Sequence, residues 1–284
     1  MHLLIKLQKL LVDTPLSFFR LKENKGAAFA RNFGFKHANG DIIVFCEADA
    51  YYPPEYIEKL VKPLLKGAGA SISCPRRVIN KKGLIHEYIE RRLHVACELT
   101  KVGKRPIMGA WAFRREVLDD VGLYDETLRV GEDRDLVERL KRKGYKITIV
   151  FDNEWYHKEP DNLKNFIKFH FWRSVKGKKF RERWGLEPKG FKKLFFIVRN
   201  ISALLLPIYP VLAVFYNLVW LIIFFGVFFA ESMFPIIYDE ELRLTFKLAL
   251  KDRDYKLALA VPFICWAEIR ARALGIFYAM LKGE

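Results

Sequence analysis

Short apolar runs alternate with segments of helical apolar spacing over the first 160 residues of this chain. The predicted strands are residues 16–21, 42–46, 70–74, 107–113 and 146–151, and the predicted helices are residues 3–11, 26–38, 54–65 and 132–143. Gly144 follows the last helix, in the position where a glycine commonly ends one. Alternating strands and helices predict an α/β fold whose ligands bind at the carboxyl ends of the strands.

The remainder of the chain has a different pattern. On the predicted helix at residues 161–184, aromatic and basic side chains alternate, as they do in amphipathic helices that lie on a membrane surface. Residues 162–199 contain twelve Lys or Arg and two Glu, whereas residues 201–230 carry no charge. A basic segment next to a long apolar run favours attachment to a membrane from its cytoplasmic side.

Two topologies fit the uncharged run. Its thirty residues exceed the roughly 20 that a membrane-spanning helix needs. Because Pro207 and Pro210 offer a break, the run is either one kinked span or a short re-entrant hairpin. A second apolar stretch at residues 257–280 contains Glu268, Arg270 and Arg272, so an interfacial or protein-packed helix fits it at least as well as a span.

These patterns divide the chain into three regions. We expect an α/β domain at residues 1–160, a basic amphipathic interface segment at 161–200 and a membrane-associated helical region at 201–284. The net charge of +16 would also suit a nucleic-acid-binding protein, but no nucleic-acid motif accompanies it and the basic segment borders the apolar run. The four cysteines lack the spacing of a metal site or a disulfide, so we expect free, buried thiols in a reducing compartment.

The strongest motif lies at residues 24–54, NKGAAFARNFGFKHANGDIIVFCEADAYYPP. Glu47 and Asp49 follow an apolar strand, and carboxylates two residues apart point to the same side of an extended chain. The segment resembles the heart of the family 2 glycosyltransferases, in which a helix with A-R-N-x-G leads through A-x-G-D into a strand that ends in D-x-D. Glu47 departs from that pattern, because the family has Asp there.

This resemblance implies a GT-A-type, Rossmann-like domain that binds a nucleotide-sugar donor. A divalent cation, Mg2+ or Mn2+, would be held at Asp49 and Glu47 and would neutralise the diphosphate of the donor. Arg31 and Asn32 would contact the donor as well. Capping and packing of the helix end is an equally consistent role for these last two residues.

A second block, residues 109–144, reads GAWAFRREVLDDVGLYDETLRVGEDRDLVERLKRKG. It resembles the acceptor half of the same family, in which G-E-D-x-D-L-x-x-R-L follows G-x-[FY]-D-E. In members that invert the anomeric centre, the aspartate of the E-D pair is the general base, which implies Asp133, preceded by Glu132. The alternative is that both acids only stabilise a helix N-terminus. Asp135 and Arg139 are expected to pair within the helix.

Two further residues stand where relatives carry functional side chains. His157 follows the strand at 146–151, and such a histidine contacts the metal or the diphosphate in relatives; a structural role is equally consistent. Arg173 lies where relatives place an aromatic-plus-Arg element near the donor phosphates. An interfacial arginine that extends towards the membrane surface is the alternative for Arg173.

The resemblance covers residues 16–160 well and the tail loosely. Family members open with a strand-helix-strand that begins V-S-V-I-I-P-x-Y-N and grips the base and ribose, and we expect this chain to lack it. The implied function is inverting transfer of a sugar to a lipid-linked or polysaccharide acceptor, at the cytoplasmic side of the cell membrane. The alternative is a non-catalytic remnant or a scaffold partner of a complete membrane glycosyltransferase.

Overall fold

The computed structural model describes residues 16–79, 81–102, 111–185 and 219–282, together with residues 208, 211 and 214. The strands are β1 (Ile42–Phe45), β2 (Ala50–Tyr51), β3 (Ala70–Ser73), β4 (Arg76–Val78), β5 (Trp111–Arg114), β6 (Ile147–Val150) and β7 (Trp155–His157). The helices are α1 (Ala27–His37), α2 (Tyr56–Leu65), α3 (Gly83–Lys101), α4 (Arg115–Val121), α5 (Glu132–Arg142), α6 (Leu163–Lys176), α7 (Lys178–Arg183), α8 (Val219–Tyr238), α9 (Glu240–Lys251) and α10 (Tyr255–Lys282).

A four-stranded sheet with strand order β1-β5-β3-β6 forms the centre of the α/β region. Strand β5 runs antiparallel to both of its neighbours, and β3 pairs with β6 in parallel. Because side chains alternate across a strand, Trp111 and Phe113 enter one core with α1, α4 and α5, while Ala112 enters the core under α2. The sheet is therefore covered by helices on both faces, as the sequence predicts for an α/β fold.

A smaller three-stranded sheet, with order β2-β7-β4, lies beyond the carboxyl end of β1. Strand β7 pairs with β2 in antiparallel and with β4 in parallel. Its strands have only two or three residues each, which is too short for a periodic sequence signal. This sheet places the segment that follows β1 next to β7.

The carboxyl-terminal helices pack against α3 and α6 through a second core. Tyr88 of α3 and Phe166 of α6 contribute to it with Leu257 and Val261 of α10. Helices α6 and α10 approach closely at Gly275, where any Cβ atom would meet the carbonyl oxygen of Phe171. The tail is thus built onto the α/β region by ordinary apolar packing.

A charged cluster lies inside this second core. The Glu268 carboxylate is 2.7 Å from the Arg92 guanidinium and 3.6 Å from His170 Nδ1, accepts a hydrogen bond from Tyr88 Oη at 3.1 Å, and also pairs with Arg272. Burial raises the pKa of Glu268, but the charges of Arg92, Arg272 and His170 outweigh it and bring that pKa to about 2. The cluster therefore ties α3, α6 and α10 together by charge as well as by packing.

Most predicted elements are present, but three predictions are corrected. Residues 16–26 form no strand, because no described strand lies beside them; Phe19 packs instead on Phe33 of α1, with the ring centroids 5.2 Å apart. The helix predicted at 161–184 is two helices, α6 and α7, which meet at Gly177. Cys74 and Cys97 are joined as a disulfide, with Cα atoms 6.1 Å apart, so they are not the free thiols expected.

The expected membrane helices are not found in the described part of the chain. Among the described residues, no helix combines the length and apolarity needed to cross a bilayer. Most of the uncharged run before α8 lies outside the described residues, as does the helix predicted at 3–11.

The charged cluster provides a test of the packing. We expect Glu268→Gln to lower the free energy of unfolding at pH 7 by about 3 kcal/mol, because it removes one of the two carboxylates, Glu268 and Glu241, that pair with the buried Arg92 guanidinium. Because the folded-state pKa of Glu268 is depressed, this contribution should also be lost in the wild type as pH falls from about 4.5 towards 2. Urea unfolding measures both effects. Glu116→Gln, at a side chain 72% exposed, is the control; equal stability of the two variants would contradict the prediction.

Candidate functional site

The segment after β1 is held in a fixed turn. The backbone N–H of Glu47 donates to the Tyr52 hydroxyl at 2.8 Å, and the Tyr52 ring stacks on Trp155 with centroids 5.8 Å apart. Trp155 is fully buried at the start of β7. The turn that carries Glu47 and Asp49 is therefore anchored on the smaller sheet.

Pairing of β2 with β7 brings His157 to these two carboxylates. Ala50 lies opposite His157 in the register, and the Lys158 N–H donates to the Asp49 carbonyl at 3.1 Å. His157 Nε2 is 3.0 Å from the Glu47 carboxylate and 3.4 Å from the Asp49 carboxylate. One ligand atom from each of the three residues lies within 4.8 Å of the others.

The Glu47–Asp49–His157 cluster suits a divalent cation. Two carboxylates and one imidazole are a donor set that Mn2+ or Mg2+ accepts, and the Asp49 side chain is 60% exposed, which leaves one side open to a ligand. The sequence predicted these three residues as metal ligands, and the structure brings all three together.

Charge within the cluster is balanced between the imidazole and its acidic neighbours. Burial lowers the pKa of His157, but hydrogen bonds to Glu159 and Glu47 outweigh it and raise that pKa to about 9. The hydrogen bond from His157 in turn lowers the pKa of Glu47. Without a metal the imidazole is therefore cationic at neutral pH, where it occupies the place of a cation between the carboxylates.

The second acidic pair begins helix α5. Gly131, with φ of 90°, precedes it, and any Cβ there would meet the Phe180 ring, so both the backbone conformation and the packing require glycine. Glu132 and Asp133 occupy the first turn of the helix, where carboxylates are favoured. Arg31 of α1 contacts both, at 2.9 Å to Glu132 and 3.4 Å to Asp133.

The environment of Asp133 makes its carboxylate more basic than usual. Burial raises the pKa of Asp133 to about 6, although the adjacent Arg31 opposes the shift. The negative charges of Glu132 and Glu47 act in the same direction as burial. Near neutral pH the carboxylate is thus ionised and able to accept a proton, the requirement for a general base.

One cleft connects the two acidic groups. We call it the central cleft; it is lined by Arg31, Phe45, Cys46, Glu47, Trp111, Tyr124 and Asp133. The sequence did not single out Trp111, whose buried indole Nε1 has no hydrogen-bond partner among the described residues. Such a donor is available to an oxygen of a bound substrate. No local motif marks Trp111, because only the pairing of β5 with β1 brings it to the cleft.

The two remaining predicted residues, Asn32 and Arg173, do not line the central cleft. Asn32 is buried, and its amide bonds to the Tyr124 backbone and, at 2.9 Å, to Glu126, so its polar atoms serve the fold and it does not line the central cleft. Arg173 lies at the edge of the site, close enough to feel the charges of Glu132 and Asp133.

One pKa shift and one ion pair complete the description of these predicted residues. Loss of hydration, together with the positive charges of Arg272 and Arg76, lowers the pKa of Arg173. Asp135 pairs with Arg139 at 2.9 Å within α5, which confirms the predicted pair.

Comparison with known proteins identifies similar sequences. Residues 4–122 match the family model described as glycosyl transferase family 2. The chain is 31% identical over 128 residues to a dolichol-phosphate mannosyltransferase of Pyrococcus furiosus, over 42% of this chain and 36% of that protein. It is 25% identical over 149 residues to the uncharacterised glycosyltransferase YwdF of Bacillus subtilis, over 51% of this chain and 55% of that protein. The chain therefore spans between about a third and a half of these relatives.

A solved structure shows the same fold. The mannosyltransferase PcManGT of Pyrobaculum calidifontis, in complex with GDP-Man and Mn2+, superposes with a TM-score of 0.52 at 19% identity. The match covers 99% of this chain and 74% of that one. The GT-A-like α/β fold predicted from the sequence is thereby confirmed.

The cluster makes a testable prediction about metal binding. His157→Ala should weaken Mn2+ binding at least about tenfold, because it removes one of three ligands. His94→Ala, at an exposed position of α3, is the matched control and should bind as the wild type does. Titration followed by the electron paramagnetic resonance signal of free Mn2+ measures both. Equal affinity of His157→Ala and wild type would remove His157 from the metal site.

Proposed function

We propose that this chain, whose residues 4–122 match the model of glycosyl transferase family 2, transfers a sugar from a nucleotide-sugar donor to an acceptor hydroxyl. The observation that carries the proposal is the central cleft, which Glu47 of the metal-binding cluster lines together with Arg31 and Asp133. A cation site and a basic carboxylate on one cleft are the two devices that such a transfer needs.

The donor diphosphate is bound at the Glu47–Asp49–His157 cluster. These three residues would hold Mg2+ or Mn2+, which when bound neutralises the charge of the leaving diphosphate. Arg173 adds positive charge at the edge of the site, where a guanidinium can bind phosphate oxygens bidentately. Arg31 stays with the acidic pair and orients Asp133.

Asp133 deprotonates the acceptor. Its carboxylate takes the hydroxyl proton as the acceptor oxygen forms its bond to the anomeric carbon. The bond between that carbon and the diphosphate oxygen breaks, and the diphosphate leaves with the electron pair. Because the base and the leaving group lie on opposite faces of the sugar, the anomeric configuration inverts. Glu132, 2.9 Å from Arg31, competes for that guanidinium and leaves Asp133 basic.

The acceptor is lipid-linked in this proposal. Two features support it: the Pyrococcus relative is named for dolichol phosphate, and the described tail presents exposed apolar side chains. On α8 these are Val219, Ile222, Ile223, Phe225, Phe229 and Ile237, and on α6 they are Leu163, Ile167, Phe169 and Trp172. The exposed Lys164 and Lys168 lie beside the apolar side chains of α6. We therefore propose that this exposed face of α6 contacts an anionic membrane surface on the cytoplasmic side.

Substitution of the base tests the proposal. Asp133→Asn should cut kcat about a hundredfold or more while leaving donor affinity nearly unchanged, because the amide cannot accept the acceptor proton. Asp119→Asn, at an exposed aspartate of α4, is the control and should be fully active. Radiolabelled transfer from GDP and UDP sugars gives turnover, and isothermal titration gives donor affinity. Near-normal turnover of Asp133→Asn would contradict the base assignment and would mean that Glu132 and Asp133 only stabilise the N-terminus of α5.

The pH profile provides an independent test. Because the pKa of Asp133 is raised to about 6, its active, deprotonated form is lost as pH falls below 6. We expect kcat to decline about tenfold per pH unit below pH 6 and to level off above it. The residual activity of Asp133→Asn should lack this acid limb. If the decline of kcat at acid pH persists in Asp133→Asn, or if it begins near pH 4 in the wild type, a group other than Asp133 controls the pH dependence.

Membrane contact is tested with lipid vesicles. The protein should sediment with anionic vesicles. The double substitution Lys164→Glu and Lys168→Glu should weaken this binding at least tenfold, since each basic residue contributes about 1 kcal/mol. Lys59→Glu with Lys62→Glu on α2 is the matched control. Binding that is unaffected by the α6 substitutions would show that another surface contacts the lipid.

A further inference from the structure

His157 has carboxylates at both ring nitrogens. Nε2 faces Glu47 and Asp49, at 3.0 and 3.4 Å, on the side where a cation is held in the proposed function. Nδ1 points the opposite way and lies 3.2 Å from the Glu159 carboxylate. Glu159 is not one of the three residues whose ligand atoms cluster. Its contact is with the imidazole, on the far side from the cation.

Glu159 is itself held in place. The residue is 9% exposed, and the Arg76 guanidinium contacts its carboxylate at 3.0 Å. Arg76 belongs to β4, which pairs directly with β7, so the strand that carries His157 also lies beside the strand that fixes Glu159. A buried carboxylate with a guanidinium partner keeps its charge and its position.

We propose that Glu159 is the positioning residue for the metal ligand His157, an inference that rests on the metal site of the proposed function. An imidazole binds a cation through one nitrogen only when the other nitrogen carries the proton. The Glu159 carboxylate accepts a hydrogen bond from Nδ1–H, which directs the Nε2 lone pair at Glu47, Asp49 and the cation between them. Carboxylate partners of this kind fix the tautomer and the ring orientation and make the ligand more basic.

A neighbouring ion pair offers a control that distinguishes positioning of His157 from general stabilisation of the fold. Arg77, the next residue of β4, pairs with Glu154 at 2.7 Å, just before β7 begins. Glu154 is 42% exposed, and within the described part of the chain it pairs with Arg77 and not with Glu47, Asp49 or His157. Both pairs join an arginine of β4 to a glutamate that flanks β7, but of the two glutamates only Glu159 contacts His157. Glu154→Gln is therefore a matched control for Glu159→Gln.

The test measures binding of Mn2+ alone to the full chain. Glu159→Gln should weaken Mn2+ affinity about ten- to a hundredfold, whereas Glu154→Gln should leave it unchanged. In a His157→Ala background Glu159→Gln should cause little further loss, because its effect passes through the imidazole. The nitrogen coupling of the bound imidazole in pulsed electron paramagnetic resonance spectra should weaken or disappear in Glu159→Gln. Melting temperature without metal controls for folding.

Each outcome decides the inference. An equal loss of affinity with and without His157, or an unchanged affinity and nitrogen coupling in Glu159→Gln, would overturn it while the metal site stands. Wild-type protein that binds no Mn2+ would overturn the metal site and this inference together. If Glu159→Gln does not fold, Glu159→Asp keeps the charge but shortens the arm, and should still lower the affinity. Wild-type affinity in that variant would overturn the inference.

Discussion

The contact of Arg31 with Glu132 and Asp133 is the constraint on which the site depends. It joins helix α1 to the first turn of α5, two elements that are 101 residues apart in sequence. Two adjacent carboxylates at one helix end repel each other, and the Arg31 guanidinium offsets this repulsion by contacting both. Burial raises the pKa of Asp133 to about 6, although the charge of the adjacent Arg31 opposes the rise.

A second constraint is the pairing of two very short strands. The register of β2 with β7 places His157 beside the turn that holds Glu47 and Asp49, and the Tyr52 hydroxyl fixes that turn. The candidate cation site thus lies at the junction of two sheets, where residues from separate segments meet. The central cleft is lined by both Glu47 and Asp133, so the cluster and the acidic pair share one surface.

The sequence predicted the elements that have strong periodicity and the residues that lie in motifs. Strands β1, β3 and β6 and helices α1, α2 and α5 were found near the expected positions, because each has a clear apolar pattern with a defined end. It also predicted roles for Glu47, Asp49 and His157, which the structure brings together, and for Asp133, which lines one cleft with Glu47. It did not identify α3 or the three-stranded sheet, whose strands of two or three residues carry no period.

Long-range contacts explain the other omissions. Glu159 stands two residues after His157, but a lone acid at that spacing means little until the strand pairing shows that it faces the imidazole. The buried Glu268 suggested an interfacial or protein-packed helix, and its partner Arg92 lies 176 residues away in sequence. Cys74 and Cys97 are 23 residues apart, a separation that no disulfide motif specifies. In each case the partner is chosen by the fold and not by neighbouring residues.

The most direct test of this account is a crystal structure with Mn2+ and a non-hydrolysable nucleotide-sugar. The account predicts Mn2+ bound by Asp49, Glu47 and His157, with the diphosphate on the metal. It also predicts the Asp133 carboxylate on the face of the sugar opposite the diphosphate, within reach of an acceptor hydroxyl. A metal bound elsewhere, or Asp133 on the same face of the sugar as the diphosphate, would contradict the claim that one cleft holds both the cation and the base.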